Sequence, residues 1–207
     1  MRSVSIISFV LLSTAMLTAI SPESVAKNFT PQKQTESQKL LKLATKNIEQ
    51  LNSIVYNYAA SKIGQKVGDG ECATLAVEAL KAGGGKNFWQ LGPTGNDADY
   101  VWGTRVATIT PSNKSTANIT AGDIIQFRNV STYKKTTFPN GSWRSYTSSY
   151  NHHTAIVKGV SGSEIYLLHQ NVGENGKTPE AKKIVQAGTI NLNNITSGTM
   201  WVYRPQR

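Results

Sequence analysis

The apolar residues of this 207-residue chain change period once, near Gly85, and that change constrains the fold more than any other feature. Before it they step by three and four. Leu41, Ala44, Ile48, Leu51, Val55 and Tyr58 fall on one side of a helix expected from about Glu36 to Lys62. The seam lasts under three heptads, so it is expected to pack on the domain rather than to pair as a coiled coil. "GQKVGDG" breaks the helix, and Asp69 is the expected N-cap of a second one beginning near Glu71 or Cys72. On it Cys72, Leu75, Ala76, Ala79 and Leu80 share a face, and Gly83, Gly84 and Gly85 end it. Beyond Gly85 come short β-branched and aromatic runs: "ADYVWG", "GDIIQF", "HTAIVKGV", "EIYLLHQN", "GTINL" and "MWVYRP". "VSGSE" reads as a hairpin turn. Helices followed by an antiparallel meander predict an α+β domain, with helices packed on an antiparallel sheet. The long polar and aromatic segment "RNVSTYKKTTFPNGSWRSYTSSYN" is read as either a substrate-binding loop or an ordinary surface excursion.

The first residues speak of export. Arg2 precedes an uncharged apolar run, and Ser24 and Ala26 follow with the spacing of a signal-peptidase site. A membrane anchor is the alternative, since the run is only slightly short of a span of about 20 residues. Cleavage after Ala26 is expected, leaving a polar leader and amphipathic helix at 27–63 and a domain at 64–207. The excised segment carries one Arg and one Glu, so the net charge stays +10. A secreted, periplasmic or wall-bound location follows, with no stable membrane insertion after cleavage and an anionic cell-surface polymer as partner. The basic residues are scattered rather than blocked, which argues against a nucleic-acid module. The chain is expected to act as a monomer.

One cysteine, Cys72, cannot make an internal disulfide. It is a buried small hydrophobe, a partner-linking thiol, or a residue kept for its chemistry. A helix start favours a thiolate, but Asp69 and Glu71 oppose it, so a base must come from elsewhere. Strand alternation puts His153 with Ala155 and Val157, and His152 with Thr154 and Ile156. His153 is the favoured base, because the small Ala155 leaves room for a helix end. In "EIYLLHQN" the face of Ile165 and Leu167 carries His169 and Asn171, which an adjacent strand could set against His153. Zinc would accept Cys72, His153 and His169, but no close ligand pair has zinc-motif spacing, so neither metal nor cofactor is expected.

"GDGECATLAVEAL", "AGDIIQF", "HHTAIV" and "IYLLHQN", in that order, resemble the CHAP domains. These are cysteine, histidine-dependent amidohydrolases and peptidases of the NlpC-like, papain-like superfamily. The resemblance spans about residues 64 to 204 and implies a papain-like fold with the nucleophile at a helix start. It implies Cys72 as nucleophile, His153 as base and Asn171 as the residue orienting the imidazole. His169 stands where the family often has Glu, and a neutral imidazole cannot stabilise an imidazolium as a carboxylate does. The implied reaction is amide cleavage through a thioester, in peptidoglycan, by an endopeptidase or amidase. The alternative is an inactive CHAP-like binding or adhesion module. Gln65 and the backbone N–H of Cys72 are candidate oxyanion donors, the latter the safer.

Overall fold

The computed structural model describes residues 31–173 and 178–207, so the expected signal segment, 1–26, lies outside the described residues. Two compact units divide the chain, Met1–Leu43 and Ala44–Arg207. Helix α1, Pro31–Ser61, begins in the first. The seam expected to bury from Leu41 onward does so only from Leu51. Leu41 and Ile48 are exposed, whereas Leu51, Val55 and Ala59 are fully buried.

The second unit sets α1 from Ala44 onward and helix α2, Cys72–Gly83, on a six-stranded sheet. Its strands are β1 (Thr104–Ile109), β2 (Ile124–Thr137), β3 (Trp143–Ser161), β4 (Glu164–His169), β5 (Gln186–Asn191) and β6 (Ile195–Arg204). They are antiparallel throughout, in the order β1-β6-β2-β3-β4-β5. The α+β arrangement, with Cys72 opening a helix packed on an antiparallel sheet, is as the sequence predicts.

Alternation sorts the strand residues into two cores. On one face Ile124, Ile156, Leu168 and Tyr203 meet Leu51, Val55, Leu75, Ala76 and Leu80 of the helices. On the other, Ile125, Phe127, Ala155, Val157, Leu167 and Val202 form a second cluster. That cluster also contains Ile109 of edge strand β1 and Ile190 of edge strand β5. Ile119, from the segment before β2, and Leu192, between β5 and β6, belong to it as well.

Three local expectations fail. The run "ADYVWG" is not a strand; it is irregular, with Trp102 buried and its Nε1–H donated to Gln126 Oε1 at 3.2 Å. Asp69 does not cap α2; Glu71 holds the N-cap position, and its side chain makes no capping bond. Of the two readings of the long polar segment, the loop fails: it is a surface excursion built as the outer half of a β2–β3 hairpin, paired through Thr137↔Trp143.

The Gly-Asp pair of "AGDIIQF" ties the layers together. A Cβ at Gly122, whose φ is +85°, would stand 2.1 Å from the Asn52 carbonyl oxygen of α1. Asp123 is fully buried and accepts from Asn52 Nδ2 at 2.8 Å, Thr120 N at 2.9 Å and Arg204 Nη2 at 3.1 Å. One carboxylate thus joins α1, the turn before β2 and the end of β6.

Candidate functional site

The turn that presents Cys72 is fixed from both sides. Asp69 accepts from the Glu71 N–H at 3.0 Å and the Thr74 hydroxyl at 2.7 Å, which lower its pKa. Just past the end of β4, the buried Gln170 donates to the Val67 carbonyl at 3.0 Å and the Glu71 carbonyl at 2.8 Å, and accepts from Val67 N at 3.2 Å. Gln170 was not singled out in the sequence. Its signal was there: it lies two residues past Leu168, on the helix-facing side.

The Cys72 thiol is half-buried. Burial pushes its pKa up; backbone N–H groups of Thr154, Ala73 and Cys72 itself pull it down, and the Glu71 carboxylate pushes it up again. Burial wins, so the sulfur rests as a neutral thiol, and a base is needed to ionise it. The N–H groups of Cys72 and Ala73, at the start of α2, are the kind of donor an oxyanion needs. Gln65 is not among them; its side chain donates to the Ser61 carbonyl at 3.3 Å.

The two adjacent histidines part company as alternation requires. His153 points into the second core, away from α2, with its ring centroid 5.6 Å from Phe127 and 5.3 Å from Tyr150. Its Nε2 lies 3.2 Å from Nδ1 of His169. Both rings are buried. Burial holds the His153 pKa well below the usual imidazole value, and charge on His169 or His152 would hold it lower; burial brings His169 to about 4. The pairing of His169 with His153 is as the strand pattern allowed. The approach of the helix is not: α2 packs over Thr154 and Ile156, the opposite face from Ala155. Ile124, Ile156 and Leu168 seat the helix, and Ala155 lies in the cluster on the opposite face.

His152 is the imidazole on the helix side. Its ring stands edge-on to Tyr100 with centroids 5.3 Å apart. Tyr100 has a raised pKa, first from burial and second from charge on Cys72, so the phenol lies within electrostatic range of the thiol. His152 Nε2 is 2.6 Å from the Ala98 carbonyl oxygen. A carbonyl only accepts, so Nε2 carries a proton, and a ring with a single proton then has its lone pair on Nδ1. The segment supplying Ala98 is itself held. Arg128 Nε donates to Asp99 Oδ1 at 2.6 Å, and Arg128 Nη2 donates to the Asp97 carbonyl. Among the described residues no hydrogen bond joins the thiol to an imidazole.

Asn171 does not reach an imidazole. It adopts φ +58° and donates from Nδ2 to Glu71 Oε2 at 2.6 Å, while Lys183 Nζ lies 3.3 Å from Glu71 Oε1. The two hold the Glu71 carboxylate beside the thiol. The zinc set is equally dispersed: His153 and His169 face away from Cys72, and no cluster of three or more metal-ligating side chains occurs among the described residues.

Comparison with known proteins matches residues 25–207 to the family described as AIM3/BBC1 cysteine proteinase-fold domain. The chain belongs to that family, and the fold is that of a cysteine proteinase. A relative from the yeast Debaryomyces hansenii, "Altered inheritance of mitochondria protein 3", is 28% identical over 172 residues. The match covers 77% of this chain but 16% of that protein. Among solved structures, "The crystal structure of Ly7917" aligns with 74% of this chain and 62% of its own at 19% identity and a TM-score of 0.39.

Proposed function

We propose that this member of the AIM3/BBC1 cysteine proteinase-fold family hydrolyses amide bonds, with Cys72 as nucleophile and His152, rather than His153, as base. The observation that carries the reading is a shared face. Thr154 of β3 faces α2 at Cys72, where its backbone N–H lowers the thiol pKa, and His152, two residues earlier on the same face, stands edge-on to Tyr100, whose pKa is raised in part by charge on Cys72.

The chemistry follows from the resting states. His152 Nδ1 takes the thiol proton while the Ala98 carbonyl keeps Nε2–H in place. The thiolate sulfur bonds to the substrate carbonyl carbon, and the π electrons move to oxygen, which the N–H groups at the helix start receive. Collapse of that intermediate breaks the C–N bond, and the amine leaves with the proton from His152. Water, deprotonated by the same ring, then cleaves the thioester. A backbone carbonyl stands where a carboxylate would, so support for the imidazolium is weaker than in an Asp-assisted pair.

The narrower form of the proposal is a CHAP-type enzyme, exported and acting on peptidoglycan or another anionic surface polymer. The apolar run within residues 1–26 and the charge of +10 support it. The matched descriptions name no such substrate, so a peptide amide is the substrate class we propose first. A second reading, a binding domain without turnover, is favoured by the raised thiol pKa and the adjacent Glu71 carboxylate. The test is incubation with a mixed peptide library and with peptidoglycan, with products identified by mass. Cleavage by wild type and His153→Ala but not by Cys72→Ala or His152→Ala supports the hydrolase. Absence of any product from folded wild type supports the binding domain.

A further inference from the structure

The outer part of the β2–β3 hairpin has no role in the chemistry above. Among the described residues, 133–137 and 143–147 pair only with each other: β6 leaves β2 at Thr132, and β4 joins β3 from Ile156. The result is a two-stranded ribbon closed by a turn in which Phe138 N–H bonds the Ser142 carbonyl at 2.8 Å. Its exposed large side chains are Phe138 and Trp143 at the tip, with Tyr133 and Tyr146 behind. Lys134, Lys135 and Arg144 lie among them, and no Asp or Glu occurs from Asn129 to Ser163.

The register decides what such a ribbon can meet. Tyr133, Lys135 and Trp143 share one face, with Lys135 Nζ 4.9 Å from the Trp143 ring centroid. Lys134, Arg144 and Tyr146 share the other. A linear polymer lying along the ribbon would touch one face and leave the other's cations and aromatics unused. A plane crossing the tip touches both. At about 3.3 Å per residue, the cations sit one to four residues behind Phe138 and Trp143, about 3–13 Å. That matches a headgroup zone of about 5–8 Å per leaflet above the hydrocarbon. Aromatic rings favour this interface, and lysines and arginines favour anionic headgroups there.

We propose that the ribbon docks the protein on an anionic lipid surface, with Phe138 and Trp143 entering the interface and Lys134, Lys135 and Arg144 engaging lipid phosphates and carboxylates. This is peripheral attachment through strands, independent of the first residues and of the thiol.

The test is co-sedimentation of the full chain with vesicles of phosphatidylcholine alone or with 30% phosphatidylserine. Because residues 1–26 are themselves apolar, the reading is the difference between wild type and ribbon variants. Phe138→Ser/Trp143→Ser should weaken binding to the anionic vesicles at least tenfold. Lys134→Glu/Arg144→Glu should weaken it similarly and flatten its salt dependence. Both pairs lie on exposed positions, and circular dichroism should show them folded. The proposal is overturned if wild type does not prefer serine-containing vesicles, or if both variants bind as wild type does. It is also overturned if heparin or single-stranded RNA displaces the protein from vesicles and its own binding needs Trp143, which would make the partner a polymer.

Discussion

Lowering the pH should unfold this protein through the buried His153–His169 pair. His169 is neutral in the fold, with its pKa brought from 6.5 to about 4 by burial. A depressed folded-state value means that the unfolded chain binds the proton first. Stability is therefore complete above about pH 6.5 and is lost as pH falls toward 4. At about 1.36 kcal/mol per unit, the 6.5-to-4.5 window removes about 3 kcal/mol from His169 alone. His153, also held below its usual value, adds to the same slope. A loss of that size is a large part of the roughly 5–15 kcal/mol that keeps a domain folded. Urea denaturation at pH 7, 6, 5 and 4.5 should show the midpoint falling by roughly 1–2 M. His169→Gln keeps a polar group facing His153 and removes one titration, so its slope should be shallower. A midpoint independent of pH across this window, or an equal slope in the variant, would refute the neutral buried pair.

Asp123→Ala should cost about 3 kcal/mol or more in chemical denaturation, because it leaves Arg204 and the buried Asn52 amide without their shared partner; the rate at which Cys72 is alkylated should not change in the folded protein. Arg128→Gln should cost about 1 kcal/mol or less, as a partly exposed pair does. It should nevertheless slow Cys72 alkylation several-fold at neutral pH, because the Asp97–Asp99 segment that holds the His152 ring is released. An unchanged alkylation profile would remove Arg128 from the positioning of that ring.

The change of period near Gly85, the helix start at Cys72 and the separation of His152 from His153 were all legible in the sequence, because each rests on local periodicity. Which face of β3 the helix would cover was not. That choice depends on Ile124, Ile156 and Leu168 coming together from three strands, and no single strand displays the sum. The small Ala155 suggests room for a helix; it instead packs in the cluster on the opposite face, among Phe127, Val157 and Leu167. The strands of the ribbon are not legible in the sequence for a related reason. Both of its faces are exposed, so the alternation that marks a half-buried strand is missing, although Thr and Tyr are good strand formers. Gln170 stands out less in the sequence than its neighbour Asn171. Counting by twos from Leu168 leads to Gln170, which the helix-side core buries against the nucleophile turn.

The assignment of the base is the central claim, and thiol titration addresses it. The rate of Cys72 alkylation should be followed from pH 5 to 10 in wild type, His152→Ala and His153→Ala, each shown to be folded. If His152 is the base, wild type reacts near neutral pH, His152→Ala reacts only at or above the free-thiol range of about 8.5, and His153→Ala keeps the wild-type profile. If His153→Ala alone loses the neutral-pH reactivity, or if the three profiles coincide, Cys72 and His152 are not a working pair.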